Sequence, residues 1–536
     1  MVTWKNYWRG NEWEELKKIK IGGREVETFK NMPPNLYDAL AESVSRFPEK
    51  IALTDPWERR YSYKDFLKKV DDFALSLSCV YGIKKGDHAA LMLYNGIEFC
   101  VAFLALCKLG AVTVSLPSKY KKQEVLSLCM KAEASYIICD EDFYEWFENA
   151  EEYSFVRIKA ENAEKGYGFA YLARSTKGYA PLVSRGALED PVLIMFTSGT
   201  TSQSKGVLLK NYNVMHSVVT YEKTLKLTSE DRSVIATPIY HITGMITLLG
   251  EFLYIGASLY LHRKFEPEKV LQCALENKLT FIHASPTVFC MLMDKKDMFP
   301  SIPSLNSFAC GSSNMSPENI RRIYEWLPQV KFHTIYGLTE TAGAGTVFPG
   351  GAAESRYIGA SGIPMPNLEV RIADDTGKEV PPGIVGEVML RGTFVLEEYY
   401  HGVSSSAITE DGWLKTGDLG YCNREGYLYV VDRKKDMINR GGEKICSFDV
   451  ENEIMQLNGI LEAAVVGVPD EKYGEIPVAV IRFAPGVEWR EEAVQKVLEH
   501  RIAKYKIPCR ILPLADIPKT ANGKIDKNAI RHLFVP

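Results

Sequence analysis

Four clusters along the 536-residue chain hold side chains that could do chemistry together. The first, Thr197-Ser198-Gly199-Thr200-Thr201-Ser202-Gln203-Ser204-Lys205-Gly206, directly follows the apolar run Val192-Leu193-Ile194-Met195-Phe196. Backbone N–H groups freed by glycine, small hydroxyls and one lysine can converge on an anion such as a phosphate. Lys205 precedes Gly206, which excludes the Walker A loop, where glycine comes before lysine. The second cluster is Tyr336-Gly337-Leu338-Thr339-Glu340-Thr341. It offers a ring to stack on a base, a glycine that admits close approach, a hydroxyl for a phosphate oxygen and a carboxylate for Mg²⁺. In the third, Thr416-Gly417-Asp418-Leu419 is followed by Asp432-Arg433, a carboxylate and an arginine that can form an ion pair or hold sugar hydroxyls. The fourth, Pro518-Lys519-Thr520-Ala521-Asn522-Gly523-Lys524-Ile525, sets a lysine behind a glycine near the C-terminus. Taken singly, each has a plain structural reading: a hydroxyl-rich surface loop, a turn with a solvated glutamate, an ion pair, an exposed lysine.

Together and in this order, the clusters make the chain resemble the acyl-adenylate-forming superfamily of acyl- and aryl-CoA ligases, peptide-synthetase adenylation domains and firefly luciferase. The resemblance runs from about Leu36 to Arg531. It implies an α/β fold: a large N-terminal domain (1–432) of two doubly wound sheets plus a distorted β-barrel, and a small mobile α+β C-terminal domain (433–536), with the active site between them. It also implies ATP, Mg²⁺ and coenzyme A, or a carrier protein's phosphopantetheine, as the molecules handled. By motif, Thr197, Ser198, Gly199, Thr200, Thr201 and Lys205 resemble the loop that handles the ATP phosphates. Tyr336 matches the adenine-stacking residue, Thr339 the α-phosphate contact and Glu340 the Mg²⁺ ligand. Asp418 and Arg433 match the ribose contacts, and Lys524 the lysine that bridges carboxylate and α-phosphate. The implied reaction has two steps: carboxylate plus ATP gives acyl-AMP and pyrophosphate, then a thiol displaces AMP. The first step joins two anions, so cations and donors must be aimed at the phosphorus.

Two departures stand out. Ser202 and Ser204 occupy positions where family loops usually carry Gly and Pro, which narrows the backbone options of the loop. Ile335 precedes Tyr336 where relatives often have a polar residue, leaving the adenine amino group to backbone carbonyls.

The acid pocket should be lined by Pro238-Ile239-Tyr240-His241-Ile242-Thr243-Gly244, with His241 resembling the histidine at the acyl pocket of CoA ligases. No aspartate lies there to pair a substrate ammonium, so α-amino acids are disfavoured. Gly311-Ser312-Ser313 and Gly343-Ala344-Gly345 are expected as facing walls that admit a flat ring or slim chain, and a fatty or other apolar acid is favoured over an aryl acid. Arg440-Gly441-Gly442 resembles the segment beside the pantetheine path; Gly441 and Gly442 would let that arm pass close to the backbone, whether on CoA or on an acyl carrier protein. A stand-alone acyl- or aryl-AMP ligase loading a carrier protein is therefore the alternative. A luciferase-like oxygenase and a non-catalytic nucleotide-binding sensor are rivals from other classes. The joint presence of Glu340, Asp418, Arg433 and Lys524 argues against the sensor.

The elements that must position these residues are legible as alternating helix and strand. Leu36, Leu40 and Val44 repeat as on a helix face, Ala89–Leu93 reads as a buried strand and Ile97–Leu109 as a helix stopped at Gly110. Such alternation argues for parallel sheets covered by helices. Short strands punctuated by Pro381, Pro382 and Gly383 suggest a small β subdomain, and a charged run, Asp432-Arg433-Lys434-Lys435-Asp436, suggests the second boundary. Glu151–Asp190 reads as a surface connection, and Gly244–Leu261 as a buried helix followed by a strand rather than a membrane span. The net charge of −4 carries no footprint for nucleic acid or an anionic membrane surface, and the eleven cysteines, without a Cys-x-x-Cys pair, read as reduced thiols of a cytoplasmic protein.

Overall fold

A computed structural model of the chain describes residues 1–8, 16–21, 24–147, 156–160, 180–197, 204–402, 405–484, 486–487, 490–520 and 524–535. The helix anticipated at Leu36 spans Leu36–Arg46, capped by the Asn35 side chain accepting from the Asp38 N–H. The helix Ile97–Leu109 is buried on every side and ends at Gly110, whose φ of 68° needs a residue without a Cβ. It covers a six-stranded sheet in the order 205–210, 191–197, 112–115, 88–92, 136–140, 156–160. That sheet is parallel apart from the antiparallel hairpin at its first edge. Val156–Ala160 forms the opposite edge strand, so a stretch read as connection contributes to the sheet.

The expected second doubly wound sheet is present as two abutting pieces. Arg232–Ile235, Ser258–Leu261, Ile51–Thr54 and Arg60–Ser62 form one, and the strands from Phe281–Ala284 to Ile363–Pro364 form a five-stranded other. The Thr280 N–H donates to the Arg232 carbonyl across their junction. The expected barrel is an open half-barrel, a five-stranded antiparallel sheet of Val2–Thr3, Leu368–Ala373, Gly386–Gly392, Leu414–Cys422 and Leu428–Arg433. The C-terminal sheet, from Ile438–Arg440 to Ile511–Pro513, is covered by the helices Ser447–Met455, Glu491–Leu498 and Lys527–His532, an α+β unit. The eleven cysteines are free thiols, and among the described residues no helix is long and apolar enough to cross a membrane.

The stretch Gly244–Leu261 is a helix and strand, as read, with a π-helical segment over Met245–Gly250. Glu251 follows it, fully buried, with no hydrogen-bond partner at either carboxylate oxygen. Burial, reinforced by Glu222 and Asp231, pushes its pKa far above the usual carboxylate range, so the fold holds a neutral acid there. A folded-state pKa raised above the unfolded one means stability is lost as pH climbs from the unfolded value toward the folded one. Glu251→Met is therefore expected to stabilise the protein by about 1–3 kcal/mol, the cost of burying an unpaired polar group. The margin in melting temperature should widen between pH 5 and pH 8, and a variant less stable than its parent at pH 8 would contradict this account.

Candidate active site

The hairpin at the sheet edge delivers the first cluster. Thr197 ends one strand and Lys205 begins the next, facing each other as the closing pair. Ser198, Gly199, Thr200 and Thr201 lie outside the described residues. The Lys205 ammonium sits 5.6 Å from the centroid of the Tyr399 ring, and the Tyr399 hydroxyl donates to Glu340 Oε1 at 3.1 Å. One aromatic side chain thus bridges the loop's cation to the carboxylate of the second cluster. The segment carrying it is fixed by Glu397, which accepts from the Lys210 ammonium and, at 2.8 Å, from the Tyr212 hydroxyl.

The strand Lys331–Gly337 carries Tyr336 to its C-terminal end, where a short turn presents Thr339 and Glu340. The chain then folds back so tightly that a Cβ on Gly337 would lie 2.2 Å from the Gly343 carbonyl oxygen, and one on Gly345 would lie 2.1 Å from that of Tyr336. Glycine is required at both positions by close backbone approach. The Tyr336 hydroxyl donates to Asp418 Oδ2 at 2.7 Å. Asp418 and Arg433 are register partners on adjacent strands of the half-barrel, with Arg433 Nε 3.4 Å from Asp418 Oδ1. The second and third clusters are one constellation, pinned through a buried carboxylate whose pKa burial raises and Arg433 opposes.

Lys524 enters this constellation from the C-terminal domain. Burial first, then the Arg433 charge, lowers its pKa to about 8, against the pull of Asp418 and Glu340. Burial likewise raises Glu340. Thr197, Lys205, Tyr336, Thr339 and Glu340 line one cavity of about 1440 Å³. Asp418, Arg433 and Lys524 close it from the half-barrel and C-terminal sides, and Gly311, Ser312 and Ser313 form a further wall. His241 lies just behind, starting the short helix Ile242–Gly244; burial, with Lys524 and Lys119 nearby, lowers its pKa to about 3, and its Nε2 has no hydrogen-bond partner. It is a neutral imidazole. Gly441 and Gly442 are not brought to this cavity: they turn the exposed hairpin between Ile438–Arg440 and Glu443–Ile445, with φ of 61° and 95°. With Lys524 inside, the pantetheine-side glycines are outside.

Two features escaped the sequence. Tyr399 follows two glutamates with no chemical spacing to announce it. His283, on the buried strand Phe281–Ala284, and Tyr221 both reach the wall between Gly311 and Gly343. That wall is aromatic and polar rather than an aliphatic tunnel, which corrects the expected preference for a fatty acid. Among the described residues no group of three acidic, histidine or cysteine side chains could hold a metal. A single accessible carboxylate, Glu340, nevertheless suits Mg²⁺, which keeps waters and shares substrate phosphates with one or two carboxylates.

A family model described as AMP-binding enzyme matches residues 40–400, and one described as AMP-binding enzyme C-terminal domain matches 449–524. Indoleacetate–CoA ligase of Aromatoleum aromaticum is 31% identical, covering 92% of this chain and 98% of its own. Long-chain-fatty-acid–CoA ligase FadD13 of Mycobacterium tuberculosis is 30% identical over 84% of this chain and 89% of its own. Among solved structures, o-succinylbenzoate CoA synthetase (MenE) of Bacillus subtilis with its acyl-adenylate intermediate is 27% identical, with a TM-score of 0.82 over 94% of this chain and 98% of its own. The same synthetase in complex with ATP and magnesium ion gives a TM-score of 0.79 at 27% identity, over 93% and 99%.

The position of Lys524 generates a pH dependence. With a pKa of about 8, its ammonium is present below that pH and lost above it. If this cation serves acid activation, kcat/KM for ATP, which reports the free enzyme, should fall about tenfold per pH unit above about pH 8. Lys524→Arg, cationic throughout, should move that limb upward even if the variant is slower. An unmoved limb would assign the titration to another group.

Proposed function

The chain belongs to the AMP-binding enzyme family and is an AMP-forming acid–thiol ligase, and within that class we propose that it activates an aryl acid with ATP and passes the acyl group to CoA. The observation that carries this reading is the arrival of Lys524 in the cavity that also holds Tyr336, Glu340, Asp418 and Arg433. Buried beside a carboxylate and a guanidinium, it is a compact cation aimed where a carboxylate and an α-phosphate must meet. Low local dielectric strengthens its attraction to both anions as charge builds between them.

The other residues hold the nucleotide. Asp418 accepts from Tyr336 and faces Arg433, and a carboxylate has lone pairs left over for ribose hydroxyls. Tyr336, tethered by that bond, presents a fixed ring face to adenine. Thr197 and Lys205 anchor the loop for the phosphates, and Thr339 offers its hydroxyl to the α-phosphate. Mg²⁺, held by Glu340, would neutralise phosphate charge. The acid lies between Gly311 and Gly343, where missing Cβ atoms leave a slot for a flat ring, with neutral His241 just behind the cavity wall. MenE and the indoleacetate ligase are named for aromatic acids and FadD13 for long-chain fatty acids, so the preference for an aryl substrate rests on the Tyr221 and His283 wall. No carboxylate lines Pro238–Gly244, so an α-ammonium would be buried unpaired. CoA is favoured over a carrier protein by the relatives named as CoA ligases.

We place the domain boundary at 432/433 and assign 433–536 the delivery of Lys524. The thiol needs the same carbonyl that Lys524 serves, so the C-terminal domain must rotate and exchange Lys524 for Gly441 and Gly442. Lys435 is exposed, between Lys434, whose N–H donates to Gly417, and Asp436, whose N–H donates to Arg433. Hinges are a few such residues absorbing large φ/ψ changes.

Two variants separate the half-reactions. Lys524→Ala should cut ATP–pyrophosphate exchange by about 100-fold or more, the scale of one lost transition-state donor, while transfer from supplied acyl-AMP to CoA survives far better. Equal losses would remove Lys524 from its role. Proline fixes φ near about −65°, so Lys435→Pro should keep exchange within about tenfold and depress acyl transfer much more. Parallel losses would show Lys435 to be an ordinary surface lysine.

A further inference from the structure

The wall between Gly311 and Gly343 carries a histidine whose hydrogens are assigned by its neighbours. Thr247, in the π-helical segment, donates its hydroxyl to the Thr243 carbonyl at 2.9 Å. Its oxygen lies 3.2 Å from His283 Nδ1, and with its one proton already used it can only accept there. His283 therefore carries its hydrogen on Nδ1, and Nε2 is a bare lone pair. Among the described residues no hydrogen bond reaches Nε2. A Cβ on Gly311 would sit 3.6 Å from it, so the missing side chain at Gly311 leaves the nitrogen open toward the cavity.

The surroundings keep the ring in this state. Tyr221 and Phe281 flank it, with centroids 6.0 and 6.2 Å away. The Tyr221 hydroxyl donates to the Gly343 carbonyl at 2.7 Å, so its hydrogen is also committed. Burial alone lowers the His283 pKa to about 3, and no charged group acts on the ring. The imidazole stays neutral through the working range. Tyr221 and Thr247 have their hydroxyl hydrogens committed, and His283 Nε2 has a lone pair to offer. The acid seated here is complementary if it brings the hydrogen.

We propose that His283 selects the acid: the substrate is an aryl acid bearing a hydrogen-bond donor on its aromatic part, a phenolic hydroxyl or a ring N–H, which His283 Nε2 accepts. The proposal rests on the aryl-acid reading of the same slot. A substrate without the donor leaves a buried acceptor unpaired, which is the strongest form of discrimination open to such a pocket. Thr247 is a positioning residue, acting through the tautomer it imposes.

The test is ATP–pyrophosphate exchange with matched sets of aryl acids carrying hydroxyl, hydrogen or methoxy at each ring position, with indole- and benzene-based pairs for the N–H. At one position at least, the donor-bearing acid should exceed both analogues by about tenfold or more in kcat/KM. His283→Phe should collapse that ratio toward one. Thr247→Val, nearly isosteric, should reduce it without abolishing exchange, which guards against a folding defect in the first variant. Exchange with aryl acids at ratios near one, or a ratio that survives His283→Phe, overturns the proposal and leaves the aryl reading standing. Exchange with aliphatic acids and with no aryl acid overturns both.

Discussion

Everything in this site depends on bringing a buried cation, Lys524, into the cleft that Arg433 already faces. Burial of Lys524 and its repulsion by Arg433 both act against the lysine's charge, as its depressed pKa records. Asp418 and Glu340 make the arrangement tolerable, and each of them is raised by burial in turn. Lys524, Asp418 and Glu340 are thus three groups that burial sets against ionisation in one cleft. Such a site gains most when a polyanion enters, because the incoming phosphates satisfy the cations without new desolvation of the protein. The half-barrel exists, in this sense, to bring Asp418 and Arg433 into register, and the tight turn after Tyr336 exists to reach them.

Glycine and the aromatic hydroxyls set the geometry of that balance. Gly337 and Gly345 let two backbones approach within a distance no Cβ allows, which fixes where Tyr336 ends and Thr339 begins. Tyr336 then tethers Asp418, and Tyr399 tethers Glu340. Each tyrosine donates to a carboxylate, lowering the cost of keeping it charged in a dry place. The two carboxylates are held apart, one committed to an arginine and one left facing the phosphate side.

The chain advertised the parts of this that depend on local sequence. Hydroxyls and glycines spaced around Lys205, the Tyr336–Glu340 run and the Asp418/Arg433 pair are short-range patterns, and the alternation of helix and strand announced the parallel sheets that present them. What stayed hidden depends on long-range packing. His283 sits in an apolar strand where periodicity reads it as core, and its meaning comes from Thr247 and Gly311, neighbours that only the fold supplies. Tyr399 gains its role from Glu340, 59 residues earlier. Val156–Ala160 alternates apolar and charged residues, but the strand is short and stands within a polar stretch, and its place at the sheet edge comes from pairing with Tyr136–Asp140. Gly441 and Gly442 were readable as a motif, yet the motif says nothing of which domain pose puts them to use.

The joint between the domains shows why one chain can serve two steps. Asp432, nearly buried, accepts from the Ser447 backbone at 2.7 Å and from its hydroxyl at 2.8 Å, with Lys527 3.8 Å away. One residue on, Arg433 is turned the other way, toward Asp418. The two proposed domains therefore grip opposite sides of a single peptide unit, and exposed Lys435 follows in the turn closed by the Asp436 N–H on the Arg433 carbonyl. Elsewhere the contact is polar: Arg482 reaches across to Asp294 at 3.4 Å, with the carboxylate partly exposed. Water can replace contacts of this kind at little net cost, whereas an apolar seam of the same area would lock the pose. A polar interface next to a short charged turn suits the proposed exchange, in which Lys524 is held for the first step and released for the second.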